Sequence, residues 1–511
     1  MLPSPARISN DFFTRLLASL LLALSTFPVY LRTLAPGVYG FDSAELATGV
    51  FTQGLVHPPG NPLYLLIGKL FTFLPFGDVA YRLNIMSAVF ASLTAVLLFW
   101  TIENIIEGRF AAWCAVFLFA FSNYFWQMAL VAEVYTPLTA LLAGDLLLVS
   151  LWHRRGLTKY LLAFSFLYGI TLTMHTSAIL IAPAFAWLIL STSYWTRSRW
   201  RLVGPMFVLF VIGLSPYLYL SIRADVHPAI DYSHIYGVDL TTASGLWWMV
   251  SGQAYSFFVF GYEWKDVPGE FMRFVSYLWR NYLGVGVILG LVGIAWLGRK
   301  SPSWLAGLLL AFAANVVFFV NYRVMDKDTM FLAAYLVWAV FVAGGLRAAN
   351  HFLKRYQAQG WLDVKWGKAV STLPILFILL AVGLNWRWVD MSRSTGYAAF
   401  AGEMMSEAEP DSMIIASWSS AVVLEYYQVV EGQRPDLVIF NRSRWRTAKY
   451  YEFWRQGMAR NTILSQIDSE EVGLIDQYMK ERTMYAVEYD PVLAQKFEYL
   501  PEGLAFRLAA Q

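Results

Sequence analysis

Long apolar segments recur along this chain at the length of a bilayer-spanning helix. We count about eleven stretches of roughly 17 to 20 residues, enough to cross a hydrocarbon core of ~30 Å. They cover residues 14–34, 82–102, 110–128, 130–151, 160–174, 177–193, 202–221, 281–297, 304–320, 330–346 and 369–386. Inside a bilayer, backbone hydrogen bonds are satisfied only in helices or closed barrels, and segments this long are typical of helices. The chain is therefore predicted to be an α-helical polytopic membrane protein.

The composition agrees with a membrane location and argues against other classes. Hydrophobic residues make up 58% of the 511 residues, and charged residues only 14%. The formal net charge of +3 is too small to suggest a nucleic-acid partner, whereas membrane lipids are expected partners. Cys114 is the only cysteine, which excludes an intrachain disulfide and argues against a cysteine-ligated metal.

Basic residues fall in alternate connections between the apolar segments, and this pattern indicates the topology. The clusters are Arg154, Arg155 and Lys159; Arg197, Arg199 and Arg201; Arg299 and Lys300; and Arg347, Lys354, Arg355, Lys365 and Lys368. These connections are predicted to be cytoplasmic, and those at 35–81, 222–280 and 321–329 extracytoplasmic. We predict a multi-pass protein of a bacterial plasma membrane with a cytoplasmic amino terminus. Residues 62–76 are too short to span and are predicted to lie along the outer interface.

The composition changes near residue 388, where apolar runs shorten to the length of strands. Such runs occur at 413–416, 437–440 and 484–487, with helix-like stretches at 419–431 and 445–480 between them. Strands that alternate with helices indicate a mainly parallel sheet. We predict a membrane domain over 1–387 and a small extracytoplasmic α/β domain over 388–511.

Ionisable residues near the apolar segments gather on the predicted outer side. They are Asp42, Glu45, His57, Glu133, His175, Arg223, Asp326 and Asp328. Charged groups at membrane depth are costly and usually face a cavity or a partner, so one shared outer cavity would explain the set. Asp42 and Glu45 are three residues apart and would share a helix face. The alternative is that they only complement the dipole of a loop helix.

Several other residues of this set also have two interpretations. His57 begins His-Pro-Pro-Gly and could bind a ligand or simply partner a rigid turn. Glu133 has apolar neighbours on both sides, which favours a functional role, whereas His175 could equally be a buried, hydrogen-bonded histidine. Arg223 could hold a phosphate with its guanidinium or could extend to lipid headgroups. Asp326 could belong to a polar rim or to a solvated connection.

The sequence lacks the motifs that are typical of other enzyme chemistries. The chain contains no Walker phosphate loop, no His-x-x-x-His spacing and no Gly-x-Ser-x-Gly elbow. A transporter or flippase would place its ionisable residues near the bilayer midplane and often shows an internal repeat, but here they gather at the outer surface and no repeat is visible. A noncatalytic scaffold would leave the carboxylates unexplained. An enzyme therefore ranks first, a transporter or flippase second, and a scaffold third.

Several short motifs together resemble a known family. They are Asp42-Ser-Ala-Glu45-Leu, His57-Pro-Pro-Gly60, Pro62-Leu-Tyr64, Ala132-Glu-Val-Tyr135, His175 and Arg434-Pro-Asp436. This set resembles glycosyltransferase family 117, formerly domain of unknown function 2723, whose relatives include a eukaryotic protein O-mannosyltransferase. The resemblance implies a GT-C architecture, in which the first outer loop of a membrane bundle carries a catalytic carboxylate.

The resemblance also implies a reaction and its participants. The donor would be a sugar on a polyprenyl phosphate, and the acceptor a hydroxyl of a protein, lipid or glycan. Asp42 would be the general base of an inverting transfer. Glu45 or Glu133 would orient sugar hydroxyls or a metal, and Arg223, His57 or His175 would stabilise the departing phosphate. Asp326 is a further candidate for substrate binding, and a divalent metal stays an option because the acids cluster.

Overall fold

The computed structural model describes residues 5–324, 327–361 and 363–510. Seven helices in these ranges are long and apolar enough to cross a membrane: Thr14–Thr33, Val79–Ile106, Tyr135–Arg155, Arg197–Ala224, Pro302–Val320, Leu332–Ala358 and Thr372–Val389. Two more helices, Val267–Asn281 and Val285–Lys300, meet at an angle of 102° and add one crossing if they form a single span. The predicted α-helical polytopic class is confirmed.

The count of about eleven crossings is higher than the seven or eight that helix length supports in the described ranges. Three of the predicted segments are shorter helices, at Arg109–Ala120, Thr158–Met174 and Thr176–Leu190. The first stops before a break, and the short helix Asn123–Met128 follows it. Breaks of this kind are set by tertiary packing, so a continuous run of apolar residues does not reveal them.

The connections predicted to be extracytoplasmic contain further short helices. The first outer loop holds Asp42–Thr52 and Pro62–Phe71, the second of which begins the segment predicted to lie at the interface. The connection at 222–280, which we call the large outer loop, holds Tyr232–Ile235, Ala243–Val250 and the 3-10 helix Gln253–Phe258.

The carboxyl-terminal part forms a five-stranded sheet. Its strands are β1 (Met413–Ala416), β2 (Val438–Asn441), β3 (Met484–Ala486), β4 (Phe497–Glu502) and β5 (Ala505–Ala510), in the order β2-β1-β3-β5-β4. β1 pairs in parallel with β2 and β3, as the alternation of strands and helices predicts. β5 pairs antiparallel with β3 and β4, and this terminal hairpin was not predicted. The accompanying helices are Gly396–Glu407, Trp418–Val429, Arg442–Arg455 and Arg460–Met479. The boundary at 387 stays a prediction.

Buried hydrogen bonds fix the first outer loop above the membrane helices. The Asn84 side chain, on the helix Val79–Ile106, donates to the carbonyls of Ala35 and Gly37 at 3.0 Å each. Leu55 exchanges backbone hydrogen bonds with Ile230 (2.8 Å) and Tyr232 (3.0 Å), which joins the two outer loops. Unpaired backbone groups are costly when buried, so these bonds favour one loop conformation.

A close turn returns the chain to the helix Asp42–Thr52. Gly49 lies against the Val56 side chain, and a Cβ at position 49 would overlap it. The absence of that Cβ lets residues 55–57 fold back along the helix. His57 consequently lies beside Glu45. The same helix also packs against Trp418–Val429 of the carboxyl-terminal part.

Candidate active site

The predicted shared cavity exists and has a volume of about 1,020 Å³. Its walls come from the first outer loop, the large outer loop, the ends of several membrane helices and two helices of the carboxyl-terminal part. Asp42, His57, Glu133 and His175 all line it. Four of the seven predicted site residues therefore share one space, although they span more than a hundred positions of the sequence.

Both carboxylate oxygens of Glu45 form hydrogen bonds with His57. Its Oε2 lies 2.7 Å from Nδ1 of His57, and its Oε1 accepts the backbone N–H of His57 at 2.9 Å. The Glu45 side chain is fully buried and lies behind His57, outside the cavity lining. Its geometry is that of a residue that positions His57.

The charges of this group depend on one another. Burial alone would lower the pKa of His57, but the carboxylates of Glu45 and Asp42 raise it to about 10. Burial would likewise raise the pKa of Glu45, but the charge and hydrogen bonds of His57 hold it below its usual range. At neutral pH the pair is therefore an imidazolium and a carboxylate.

Asp42, unlike Glu45, is accessible from the cavity. Its side chain is 36% exposed and lines the cavity. Oδ1 accepts a hydrogen bond from the indole Nε1 of Trp418 at 3.2 Å, and Oδ2 lies 3.7 Å from Nε2 of His57. A carboxylate held by two neighbours and open to a cavity has the arrangement that a general base requires.

Glu133 and His175 complete the polar end of the cavity. The Glu133 backbone N–H donates to Ser87 Oγ at 3.4 Å, and the Glu133 carboxylate contributes to the raised pKa of His57. Nδ1 of His175 accepts the Ser177 backbone N–H at 3.1 Å. Burial, followed by the charge of His57, lowers the pKa of His175 to about 4. His175 is therefore neutral and carries its proton on Nε2.

Of the remaining two predicted residues, Arg223 lies apart from this group and Asp326 has no described position. Arg223 does not line the cavity, and its guanidinium donates to the backbone carbonyls of Gln53 (2.7 Å) and Thr52 (3.2 Å). These carbonyls end the first loop helix, where a cation is favourable. Asp326 lies outside the described residues. Arg434, from the tail motif, pairs with Asp436 and donates to the Ala408 carbonyl, which is a contact within the carboxyl-terminal part.

Sequence reasoning missed the cavity residues of the carboxyl-terminal part, among them Trp418 and Arg444. Arg444 makes a two-bond ion pair with Glu425, at 2.9 and 2.7 Å, and its Nε lies 3.3 Å from the Tyr232 hydroxyl. The run Arg442-Ser-Arg444-Trp-Arg446 was the available signal. Three similar arginines in five positions do not reveal which one faces a cavity.

The cluster of Asp42, Glu45 and His57 places one donor atom from each residue within 4.8 Å of the others, close enough for a metal ion. Its chemistry does not fit a metal site. A metal on these donors would have to displace the hydrogen bonds that both Glu45 oxygens accept from His57. The three residues fit an ion-paired group better than a metal site.

Below the polar end, the cavity wall is apolar. Leu138 and Leu142 continue the lining along the helix Tyr135–Arg155, so that the cavity extends about 10 Å from Tyr135 along that helix. Other apolar side chains of the wall are Leu172, Ile179, Ile181, Leu214, Phe318 and Phe319. A cavity that is polar at one end and apolar along a membrane helix suits an amphipathic ligand with a long hydrocarbon chain.

The fold and this site define the class: a polytopic membrane protein of GT-C fold in which the loop after the first membrane helix brings carboxylates to a shared cavity. Crystal structures of ArnT from Cupriavidus metallidurans share the fold. The form bound to undecaprenyl phosphate matches with a TM-score of 0.55 and 12% identity, over 96% of this chain and 97% of that one. The apo form matches with a TM-score of 0.54 and 10% identity, over 98% of each chain.

The sequence comparisons are more specific. Residues 42–198 match the family model described as the N-terminal domain of protein O-mannosyl-transferase TMEM260. Protein O-mannosyl-transferase tmem260 of Dictyostelium discoideum is 22% identical over 82% of this chain and 56% of its own length. The Mus musculus relative TMEM260 is 25% identical over 86% of this chain and 63% of its own. These matches confirm the resemblance. The chain spans less than two thirds of either relative.

Proposed function

We propose that this chain is a membrane glycosyltransferase that moves a sugar from a polyprenyl-phosphate-linked donor to an acceptor hydroxyl at the extracytoplasmic face. The observation that carries the proposal is the cavity, where the Asp42 carboxylate adjoins an apolar wall running along a membrane helix. A polyprenyl-phosphate sugar is divided in the same way, into a polar head and a long apolar tail. The ArnT crystal structure with undecaprenyl phosphate supports this donor class. The names of the relatives favour mannose and a protein acceptor.

The reaction requires a base for the acceptor hydroxyl. The hydroxyl oxygen attacks the anomeric carbon, and the bond between that carbon and the phosphate oxygen breaks. Asp42 takes the hydroxyl proton, and the polyprenyl phosphate leaves as an anion. A single displacement of this kind inverts the anomeric configuration. We assign the base to Asp42 because it lines the cavity, whereas Glu45 is occupied by His57.

The neighbouring residues would support this step. The His57 imidazolium, fixed by Glu45, offsets the negative charge of Asp42 and of the departing phosphate. Glu133 and the neutral His175 would orient the sugar through hydrogen bonds to its hydroxyls. The roles of His57 and Glu45 are thus separate: His57 faces the ligand, and Glu45 positions His57.

We infer that the cluster of Asp42, Glu45 and His57 works without a divalent cation, because both Glu45 oxygens accept hydrogen bonds from His57 and the Trp418 indole donates to Asp42. Turnover should therefore survive dialysis against a chelator. Loss of turnover on dialysis and its recovery with Mn²⁺ or Zn²⁺ would overturn this inference.

Sugar transfer by the purified full chain in lipid nanodiscs tests the proposal. The donor is radiolabelled mannosyl-phospho-undecaprenol, and the acceptor is a serine- and threonine-rich peptide. We expect transfer by the parent chain and a loss of about 100-fold or more in Asp42→Asn. Asp239→Asn is the matched control, because Asp239 lies exposed in the large outer loop away from the cavity.

The outcomes separate the alternatives. Equal transfer by Asp42→Asn and the parent would remove Asp42 as the base. Movement of the intact donor across the bilayer without sugar transfer would favour a transporter or flippase. Transfer only with another polyprenyl-linked sugar would keep the enzyme and change its substrate.

A further inference from the structure

The charged side chains that line the cavity are unevenly divided between the two halves of the chain. In the described ranges, the membrane part contributes Asp42, His57 and Glu133, and the carboxyl-terminal part contributes Arg444. Arg444 is the one lysine or arginine among these described lining residues. Among the described lining residues, a phosphate that enters the cavity would meet two carboxylates, and Arg444 as the one permanently charged cation.

Arg444 is held firmly in this position. Its side chain is 13% exposed, and the guanidinium lies over the rings of Tyr232 (5.2 Å) and Trp418 (5.7 Å). His57 packs against the same two rings, with centroids 6.2 Å away in each case. Tyr232 and Trp418 therefore lie next to both cations, and Trp418 also contacts Asp42.

The guanidinium also retains hydrogen-bonding capacity. It has five N–H donors, and three have partners among the described residues: two on Glu425 and one on Tyr232. Two N–H groups remain for a ligand. Because Glu425 fixes the guanidinium plane, a bound anion need not order the side chain first.

We propose that Arg444 forms the phosphate-binding subsite of the cavity, with a phosphate monoester or diester of a lipid as its ligand. This assignment rests on the proposed function for the source of the phosphate. It replaces Arg223, which does not line the cavity. It also gives the carboxyl-terminal part a direct role in donor binding.

Binding of undecaprenyl phosphate to the full chain in nanodiscs tests the assignment. Every protein in this series, including the parent of the series, carries Asp42→Asn, so that binding is measured without turnover. We expect Arg444→Gln to weaken binding at least about tenfold. Arg444→Lys should weaken it less, because lysine keeps the positive charge but loses the paired N–H donors of the guanidinium. Arg455→Gln, an exposed arginine on the same helix, is the matched control and should bind as the parent does.

A second variant guards against misfolding. Arg444→Gln leaves Glu425 unpaired, so the double variant Arg444→Gln/Glu425→Gln removes both charges. The same loss of binding is expected there, with undecaprenol, which lacks the phosphate, binding equally to all variants. Parent-like affinity for undecaprenyl phosphate in both variants would overturn the assignment and leave the proposed function standing. No binding by the parent would overturn both.

A different observation concerns the helix Val267–Asn281, which we call the surface helix. It meets the apolar helix Val285–Lys300 at 102°. If Val285–Lys300 crosses the bilayer, with Arg299 and Lys300 at its cytoplasmic end, the surface helix runs nearly parallel to the membrane plane. Its position at the other end places it at the outer interface.

The surface helix has three distinct faces. Glu270, Phe274 and Leu278 form a buried face, where Phe274 packs on the rings of Phe312 and Phe331. Phe271, Met272 and Trp279 are 49%, 60% and 54% exposed on a second, apolar face. Arg273, Ser276 and Arg280 form a third face that is polar and exposed.

We infer that the apolar face docks into the outer leaflet of the bilayer. A helix in that position needs one face for the protein, one for lipid and one for water, and the surface helix has all three. Trp264, just before the helix, is 87% exposed and would add an aromatic anchor at the headgroup level.

Site-specific fluorescence tests this placement. In a Cys114→Ala background, Phe271→Cys and Ser276→Cys are labelled with an environment-sensitive fluorophore in nanodiscs. The label at 271 should be quenched by spin-labelled phospholipid and protected from iodide, and the label at 276 should show the reverse. Equal iodide quenching at both positions would overturn the inference.

Discussion

Glu45 holds both the ring and the backbone of His57, with contacts of 2.7 Å to Nδ1 and 2.9 Å to the backbone N–H. Twelve positions separate the two residues, and the close turn that follows the helix Asp42–Thr52 brings them together. The bond to Nδ1 fixes the ring orientation, so that Nε2 points toward Asp42 at 3.7 Å. A buried carboxylate thereby sets the geometry of a cavity-facing cation.

This relationship predicts the effect of Glu45→Gln. The amide keeps the shape but loses the negative charge, so the pKa of His57 should fall and less imidazolium should face the substrate. We expect kcat to fall about 10- to 100-fold, with the donor KM changed less. The pH profile of kcat should lose activity at a lower pH than in the parent. An unchanged alkaline limb would contradict a positioning role for Glu45.

The same pair predicts how stability depends on pH. The folded pKa of His57, about 10, lies above the ordinary histidine value of 6.5, so its stabilising contribution is present at low pH and is lost as pH rises through about 10. The lowered pKa of Glu45 has the opposite sign, and its contribution is lost as pH falls below its usual range. Thermal unfolding should show a Tm that declines between about pH 7 and pH 10.

The control for this decline is the double variant Glu45→Gln/His57→Gln, which removes both charges together. It should unfold at a Tm that depends less on pH over the same range. A parent-like slope would assign the decline to other groups that titrate there, such as lysines and tyrosines.

The part of the site that sequence could predict is local. Asp42 and Glu45 share a helix turn, His57 follows within the same loop, and Glu133 and His175 lie at helix ends that the topology places on one side. Helical spacing and charge bias in the loops carry that information. The fold class follows for the same reason, because membrane helices are long and apolar.

The rest depends on contacts between distant parts of the chain. Trp418 reaches Asp42 across 376 positions, and no local pattern records that meeting. The arginine that faces the cavity, Arg444, sits among other arginines on one helix, whereas Arg223 looked equally suited to a phosphate. The breaks in the shorter apolar helices and the β4–β5 hairpin likewise depend on packing.

Trp418→Phe tests the contact between the two parts of the chain. Phenylalanine keeps an aromatic ring beside His57 and Arg444 but removes the N–H that Asp42 accepts. We expect kcat to fall about tenfold, which corresponds to about 1.4 kcal/mol of transition-state stabilisation, with the donor KM nearly unchanged. Trp454→Phe, a partly exposed tryptophan of the same part, should leave kcat at the parent value. Equal effects of the two variants would contradict a specific role for the indole N–H.

Arg223→Gln separates a structural guanidinium from a ligand-binding one. The variant removes hydrogen bonds to the carbonyls of Thr52 and Gln53, which end the first loop helix. Hydrogen bonds from a charged donor are worth roughly 1.5 to 3 kcal/mol when buried, so this half-buried pair should contribute about 1 kcal/mol, seen as a lower Tm. Affinity for undecaprenyl phosphate should stay near the parent value, because Arg223 does not line the cavity. The opposite pattern, a parent-like Tm with weakened phosphate binding, would indicate that Arg223 binds the phosphate. It would contradict a structural role for the hydrogen bonds from Arg223 to the backbone carbonyls.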